Sequence, residues 1–176
     1  MVKRFLERIY WIKICGKSES EMIIHKYKKM GVSIGSNVHI YGGWLDKRYA
    51  PLIEIGNNVT LSNTTILAHD ASTQKFCGYT KFGKVKIKNN VYVGYASIIL
   101  PGTIIEDNVI IGGGTVVRGH IEADSVYMGN PAIKLCSCSE YLARQKAYKE
   151  NDFVLEDLSI SELCRMAESN RIYGIN

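Results

Sequence analysis

Residues 87–122 read IKNNVY VGYASI ILPGTI IEDNVI IGGGTV VRGHIE. Divided this way, every hexad opens on an aliphatic residue: Ile87, Val93, Ile99, Ile105, Ile111 and Val117. The fifth position is small or β-branched: Val91, Ser97, Thr103, Val109 and Thr115. A step of six matches neither the 3.6-residue helical period nor the two-residue period of one long strand. It matches a short strand followed by a tight corner, with the first and fifth positions pointing inward and Gly, Asn and Asp turning the corners. Three such hexads close one triangular coil of eighteen residues, and stacked coils pair their strands in parallel. A single coil cannot bury its apolar edge, so the coils must be contiguous.

The pattern extends upstream. IGSNVH IYGGWL begins at Ile34, and IGNNVT LSNTTI LAHDAS begins at Ile55. Their leads are Ile34, Ile40, Ile55, Leu61 and Leu67, with Val38, Val59, Thr65 and Ala71 at fifth positions. Trp44 alone breaks the small-residue rule, and its bulk directs it outward. The phase slips twice. Extra residues fall between Leu45 and Ile55, and TQKFCGYTKFGKVK fills the gap to Ile87. That second stretch, about residues 73–86, reads as a loop extruded from a coil, where repeat proteins place binding insertions. It directly follows His69 and Asp70, which the hexad assigns to a corner, pointing away from the core.

The expected fold class is therefore mainly β: a parallel β-helix of hexapeptide repeats over residues 31–135. A helical cap over 1–30 precedes it and a helical extension over 136–176 follows. Residues 18–30, SESEMIIHKYKKM, read as a capped helix before the first coil. Residues 138–150 and 156–170 also read as helices. Such flanks cover the strand edges that the end of a solenoid exposes.

Composition narrows the function. The 176 residues are 46% hydrophobic and 22% charged, ordinary values for a globular chain. No run approaches the roughly 18 apolar residues of a membrane span. The start, MVKRFLERIYWIKICGKS, lacks the unbroken apolar core of a signal peptide. As a helix it gathers Phe5, Ile9 and Ile12 on one face, which suits either docking or weak adhesion to a membrane surface. The expected location is the cytoplasm, at most at the inner face of the membrane. Five cysteines, an odd number whose closest pair is C-x-C, predict free thiols rather than a disulfide framework or a zinc site. The net charge of +5 comes from scattered residues, which argues against nucleic acid and leaves anionic small molecules open.

The hexapeptide repeats resemble those of left-handed parallel β-helix proteins, and the left hand is carried over from that resemblance. The order IEIGNNVTLSNTTILAHDAST, a glycine-containing loop, VYVGYASIILPGTIIEDNVIIGGGTVV and then YMGNPA is similar to the maltose, galactoside and serine acetyltransferase superfamily. It is most similar to the polysaccharide O-acetyltransferase branch. The resemblance implies acetyl-CoA as co-substrate, no metal, a carbohydrate acceptor and a homotrimer with its site between subunits. It implies that His69 is a general base, taking the proton of an acceptor hydroxyl while the oxygen attacks the thioester. An imidazole suits that work because its unperturbed pKa, about 6.5, is near neutral pH. The resemblance further places Gly94, Tyr95, Gly112, Gly113, Arg118 and Lys134 at the coenzyme. In YMGNPA, Ile133 separates the motif from the basic Lys134, a departure from the usual pattern.

For the acceptor, GGWLD offers Trp44 as an apolar platform and Asp46 as a partner for hydroxyls, with Asn63 and Asp70 as further polar contacts. Asp70 is also the neighbour able to orient His69. The expected activity is O-acetylation of a sugar hydroxyl in capsular, exopolysaccharide or O-antigen biosynthesis. N-acylation of an amino-sugar nucleotide and a catalytically silent trimeric scaffold remain open alternatives. The metal-dependent carbonic anhydrases of the same fold need three convergent histidines, and no spacing pairs His39, His69 and His120 at neighbouring positions.

Overall fold

The computed structural model describes residue 16 and residues 18–149. The helices expected near the start and over 156–170 lie outside the described residues. One compact unit ends at Tyr141. Within it the chain winds as a left-handed parallel β-helix with three faces. Face A stacks β1 (Ser33–Ile34), β4 (Ile53–Ile55), β9 (Val85–Ile87), β12 (Ile104–Ile105) and β15 (His120–Ile121). Face B stacks β2 (Val38–Tyr41), β5 (Val59–Ser62), β10 (Val91–Val93), β13 (Val109–Ile111) and β16 (Ser125–Met128). Face C stacks β3 (Trp44–Leu45), β6 (Thr65–Ile66), β11 (Ile98–Ile99) and β14 (Val116–Val117).

The inward rows are continuous and apolar. On face A, Ile34, Ile55, Ile87, Ile105 and Ile121 stand in register, each buried. On face B, Ile40, Leu61, Val93 and Ile111 do the same. Buried Ser97, Thr103 and Thr115 tie their hydroxyls to corner carbonyls, so the polar fifth positions carry their own partners.

The corner between faces A and B explains the repeated G-S-N, G-N-N, K-N-N and E-D-N. Asn37, Asn58, Asn90 and Asn108 all take positive φ, between 50° and 60°. Asparagine tolerates this left-handed region better than other side-chain-bearing residues. Their amides join in a ladder: Asn37 Nδ2 donates to Asn58 Oδ1 at 2.8 Å, Asn58 to Asn90 at 3.0 Å, and Asn90 to Asn108 at 3.0 Å. Beside it, Asn57 and Asn89 donate to Asn89 Oδ1 and Asp107 Oδ1. The ladder holds register across coils whose partners lie 21, 32 and 18 residues apart.

Two expectations need correction. Leu45 and Ile66, not Leu67, hold the buried row of face C with Ile99 and Val117. The corner between faces B and C is one residue shorter in the first two coils, so Leu67 is only half-buried, Ala68 is buried and Ala71 is exposed. The same shift puts Trp44 in the outward row beside Thr65, as its bulk required. The extruded segment is also offset. β7 (His69–Asp70) pairs antiparallel with β8 (Lys81–Phe82), and a four-residue helix, Gln74–Cys77, sits between them. Val85–Ile87 has already rejoined face A, so the excursion is a hairpin over 69–82 rather than a loop over 73–86, and His69 lies in its first arm.

Both ends are capped. Helix α1 (Glu19–Lys29) opens with a capping box between Ser18 and Glu21. Buried Ser20 accepts the Ile40 N–H at 2.8 Å, and the Tyr27 hydroxyl accepts the Leu45 N–H at 3.1 Å. Among the described residues these donors have no coil beneath them. At the other end β17 (Ile133–Cys136) runs antiparallel on β16. Asp124 then accepts the Ser139 N–H and hydroxyl near the start of the helix Cys138–Lys149.

Asn90→Ala loses two ladder bonds and places alanine at positive φ. The expected cost is about 2 kcal/mol. Asn90→Gly, which keeps the backbone conformation, should cost clearly less. Chemical denaturation of the two variants checks the order.

Candidate functional site

The site is built where the chain leaves face C in its first two coils. Asp46 follows buried Leu45, and its N–H bonds the Ile66 carbonyl at 2.9 Å. That bond turns its carboxylate beneath the second coil, where the side chain is 1% exposed. Its Oδ1 accepts the Tyr49 N–H at 3.4 Å and its Oδ2 the Ala68 N–H at 3.3 Å. Oδ2 also meets His69 Nδ1 in a hydrogen bond. A carboxylate that accepts on both oxygens needs the facing nitrogen to donate, so Nδ1 carries a proton, and in the neutral ring the lone pair is on Nε2.

Aromatic rings hold the imidazole from the side. The Tyr49 ring lies 4.7 Å from that of His69, tilted by 50°, and 4.8 Å from Phe82, edge on. Tyr49 immediately precedes the buried Ala50 and a 3₁₀ turn, Ala50–Leu52, which fix its backbone. Phe82 is the register partner of His69 across the hairpin. The His69 side chain remains 29% exposed. The arrangement is an oriented imidazole: buried acceptor, restrained ring and an accessible face.

Asp46, expected at the acceptor, and not Asp70, is the carboxylate on the His69 ring. Asp46 is sealed away from solvent and bonded to the imidazole, which takes it out of reach of a sugar hydroxyl. Asp70 turns to its own loop, where its Oδ1 accepts the Ser72 N–H at 2.9 Å and Lys81 stands 3.9 Å from Oδ2. The Ser72 backbone and hydroxyl hold the Asp70 carboxyl below its ordinary pKa.

The glycines and the tyrosine expected at the coenzyme lie at another corner of the coil. Gly94, Tyr95, Gly112 and Gly113 form the corner between faces B and C, whereas His69 stands past the end of face C. A Cβ at Gly94 would come within 2.5 Å of the Gly113 nitrogen, so coil stacking alone demands glycine there. A Cβ at Gly112 would touch Met128, and one at Gly113 would sit 3.2 Å from the Tyr95 carbonyl. Gly114, at φ +67°, has open space around it. The corner is thus a strip of bare backbone beside the exposed Tyr95. Asn63, at φ +45°, turns the same corner in an earlier coil. Arg118 is exposed at the end of face C, two strands along from β6. Lys134, on β17, is paired with Glu122 at 2.7 Å. One protomer therefore presents the histidine and the glycine strip at two different corners.

Among the described residues no cluster of three His, Cys, Asp or Glu could hold a metal ion. His39 stacks on Tyr41 on face B, and His120 bonds Glu106 from face A.

The family description "Bacterial transferase hexapeptide (six repeats)" matches residues 84–119. Protein CapG of Staphylococcus aureus is 33% identical over 140 residues, covering 74% of this chain and 78% of that one. The chain belongs to the hexapeptide-repeat transferase family. A second relative, YvoF of Bacillus subtilis strain 168, is 31% identical over 106 residues, 60% of this chain and 59% of its own length. A solved structure of a galactoside acetyltransferase in complex with coenzyme A superposes with a TM-score of 0.53 at 22% identity, covering 81% of this chain and 79% of that one. It shares the fold.

Within this hexapeptide-repeat transferase, linear reading missed the link from Asp46 to His69 and the restraining rings of Tyr49 and Phe82. The signal was present in the coil length. Face partners in the first two coils lie 21 residues apart, so Asp46 stacks on Leu67, two residues short of His69.

Nitrogen-15 NMR of the imidazole checks the geometry. The wild-type His69 ring should show the Nδ1–H tautomer. Asp46→Asn should shift the ring nitrogens, and Asp70→Asn should leave them in place.

Proposed function

We propose that this protein is an acetyl-CoA-dependent O-acetyltransferase that acts on a sugar hydroxyl in surface polysaccharide biosynthesis, with His69 as general base. The observation that carries the reading is the buried Asp46 carboxylate on His69 Nδ1. Structural reasons alone do not call for an oriented, half-exposed imidazole at the root of a hairpin. With Nδ1 protonated, Nε2 is the atom that accepts the proton of the acceptor hydroxyl. Asp46 then stabilises the imidazolium as it forms, and Tyr49 keeps the ring from swinging away. Transfer is direct in a ternary complex: the hydroxyl oxygen bonds the acetyl carbon, the C–S bond breaks, and the imidazolium returns its proton to the departing coenzyme A thiolate.

Acetyl-CoA supplies the activated acetyl group. The bare backbone at Gly113 and Gly114 fits a thin pantetheine arm, with Tyr95 beside it and the exposed Arg118 as a partner for phosphate. Lys134, engaged by Glu122, is the weaker candidate. Because His69 and the glycine strip occupy different corners, the reading requires two protomers: the histidine of one facing the strip of its neighbour in a homotrimer. Trp44, outward on face C and 37% exposed, is the platform for the acceptor ring.

Two outcomes follow. His69→Ala should lose acetyl transfer by about 10²–10⁴-fold at saturating acetyl-CoA while staying folded and trimeric. Near-wild-type turnover would remove the base. Gly113→Trp should abolish the rise in melting temperature that acetyl-CoA gives the wild type. Co-expressing the two inactive variants should restore about a quarter of the sites if each is shared between subunits of a cyclic trimer. No recovery in mixed trimers would confine the site to one chain.

A further inference from the structure

The hairpin over 69–82 holds Lys75 and Lys81 against one acidic residue, Asp70, together with Phe76, Tyr79 and Phe82. The hairpin arranges these side chains outward. Phe76 is 82% exposed, Phe82 56% and Tyr79 53%. Large aromatic rings at such exposure, gathered on one short element, mark a contact surface rather than scattered surface carbon. The element is also tied in shape. Thr73 Oγ1 donates to the Tyr79 carbonyl at 2.7 Å, Thr80 Oγ1 to Gln74 Oε1 at 2.9 Å, and Gly78 closes the short helix at φ +75°. A pre-shaped tip loses little conformational freedom when a partner binds.

The chemistry of the tip selects the partner. Phe82 touches Tyr49, which touches His69, so the aromatic surface begins at the imidazole and leads outward along the hairpin. Residues 71–84 contain no Leu, Ile, Val or Met, the bulk that a bilayer-inserting tip would draw on. Flat rings offer stacking faces to the C–H side of pyranoses. Lys75 lies over the Phe76 ring at 5.9 Å, and Lys81, half-exposed in the second arm, stands 3.9 Å from the Asp70 carboxylate. A second copy of the hairpin would bring like charges together.

We propose that the hairpin is a docking surface for an acidic glycan chain. Its sugar rings lie on Phe82, Tyr79 and Phe76, and its carboxylates or phosphates meet Lys75 and Lys81. The inference rests on the sugar O-acetylation reading above and makes the acceptor a polymer of several sugars, one of which reaches His69.

Calorimetric titration of the full chain tests it, using tetragalacturonate, galacturonate and the neutral maltotetraose. Tetragalacturonate should bind about tenfold more tightly than either of the others, and less tightly as salt rises. Phe76→Ser and Lys75→Glu, both at exposed positions, should each weaken it about tenfold while leaving the acetyl-CoA melting shift intact. Equal affinity for maltotetraose, no binding of tetragalacturonate, or no effect of the variants would overturn the proposal. So would a change in particle mass on Phe76→Ser, which assigns the tip to a second copy. Loss of binding to phosphatidylglycerol vesicles in the same variant, with the glycan titration unchanged, would assign it to a lipid surface. A wild-type melt that acetyl-CoA does not shift would overturn the acetyl-transfer reading without touching the calorimetry.

Discussion

The amide ladder at the corner between faces A and B is the constraint from which the rest of the structure follows. Each coil turns there through a left-handed residue, asparagine in the first four coils and Asp124 in the last, and the asparagines bond one another from coil to coil. Once the corners are stacked, the aliphatic rows on all three faces fall into register. Chain length between corners becomes free to vary. A coil can gain a 3₁₀ turn or a whole hairpin, provided that it returns to the next asparagine.

That freedom is what creates the site. Both added segments, the one carrying Tyr49 and the one carrying Phe82, leave from the same edge of face C, and they meet over His69. Asp46 is buried because the coil above covers it, and it remains paired because the same coil supplies His69 and the Ala68 N–H. The stacking of the coils and the orientation of the imidazole are therefore linked through one contact. The carboxylate lies under a coil, where three N–H donors surround it, and the imidazole lies at the rim, where a substrate can approach.

Much of this was legible in the sequence. The phase from Ile87 to Val117 is unbroken, and it defined the fold, the inward rows and the corners. Trp44 was legible as an outward residue because no inward position accepts an indole between coils. His69 stood out because corners of this fold do not need a histidine. The remainder was hidden by a one-residue change. Shortening of the corner after Leu61 moved the buried row from Leu67 to Ile66, and with it the start of the hairpin. A hexad grid laid on the sequence keeps counting in sixes and so reads Asp70, the adjacent residue, as the partner of His69. The true partner is one coil away. The glycines gave the opposite difficulty: Gly94 is needed by backbone contact in any coil of this kind, so its presence says nothing by itself about a coenzyme.

The capped ends have a consequence for how such a protein can change over generations. Ser20 and Tyr27 occupy the donors that an additional coil, or a neighbouring molecule growing onto the edge, would use. Fibre growth from that end is blocked by two side chains. Lengthening of the repeat by duplication is excluded at the cap as well, because the new coil would displace it. Insertions and duplications are thus steered to the interior of the stack, where a new corner asparagine is enough to restore register and where any excursion emerges beside an existing face.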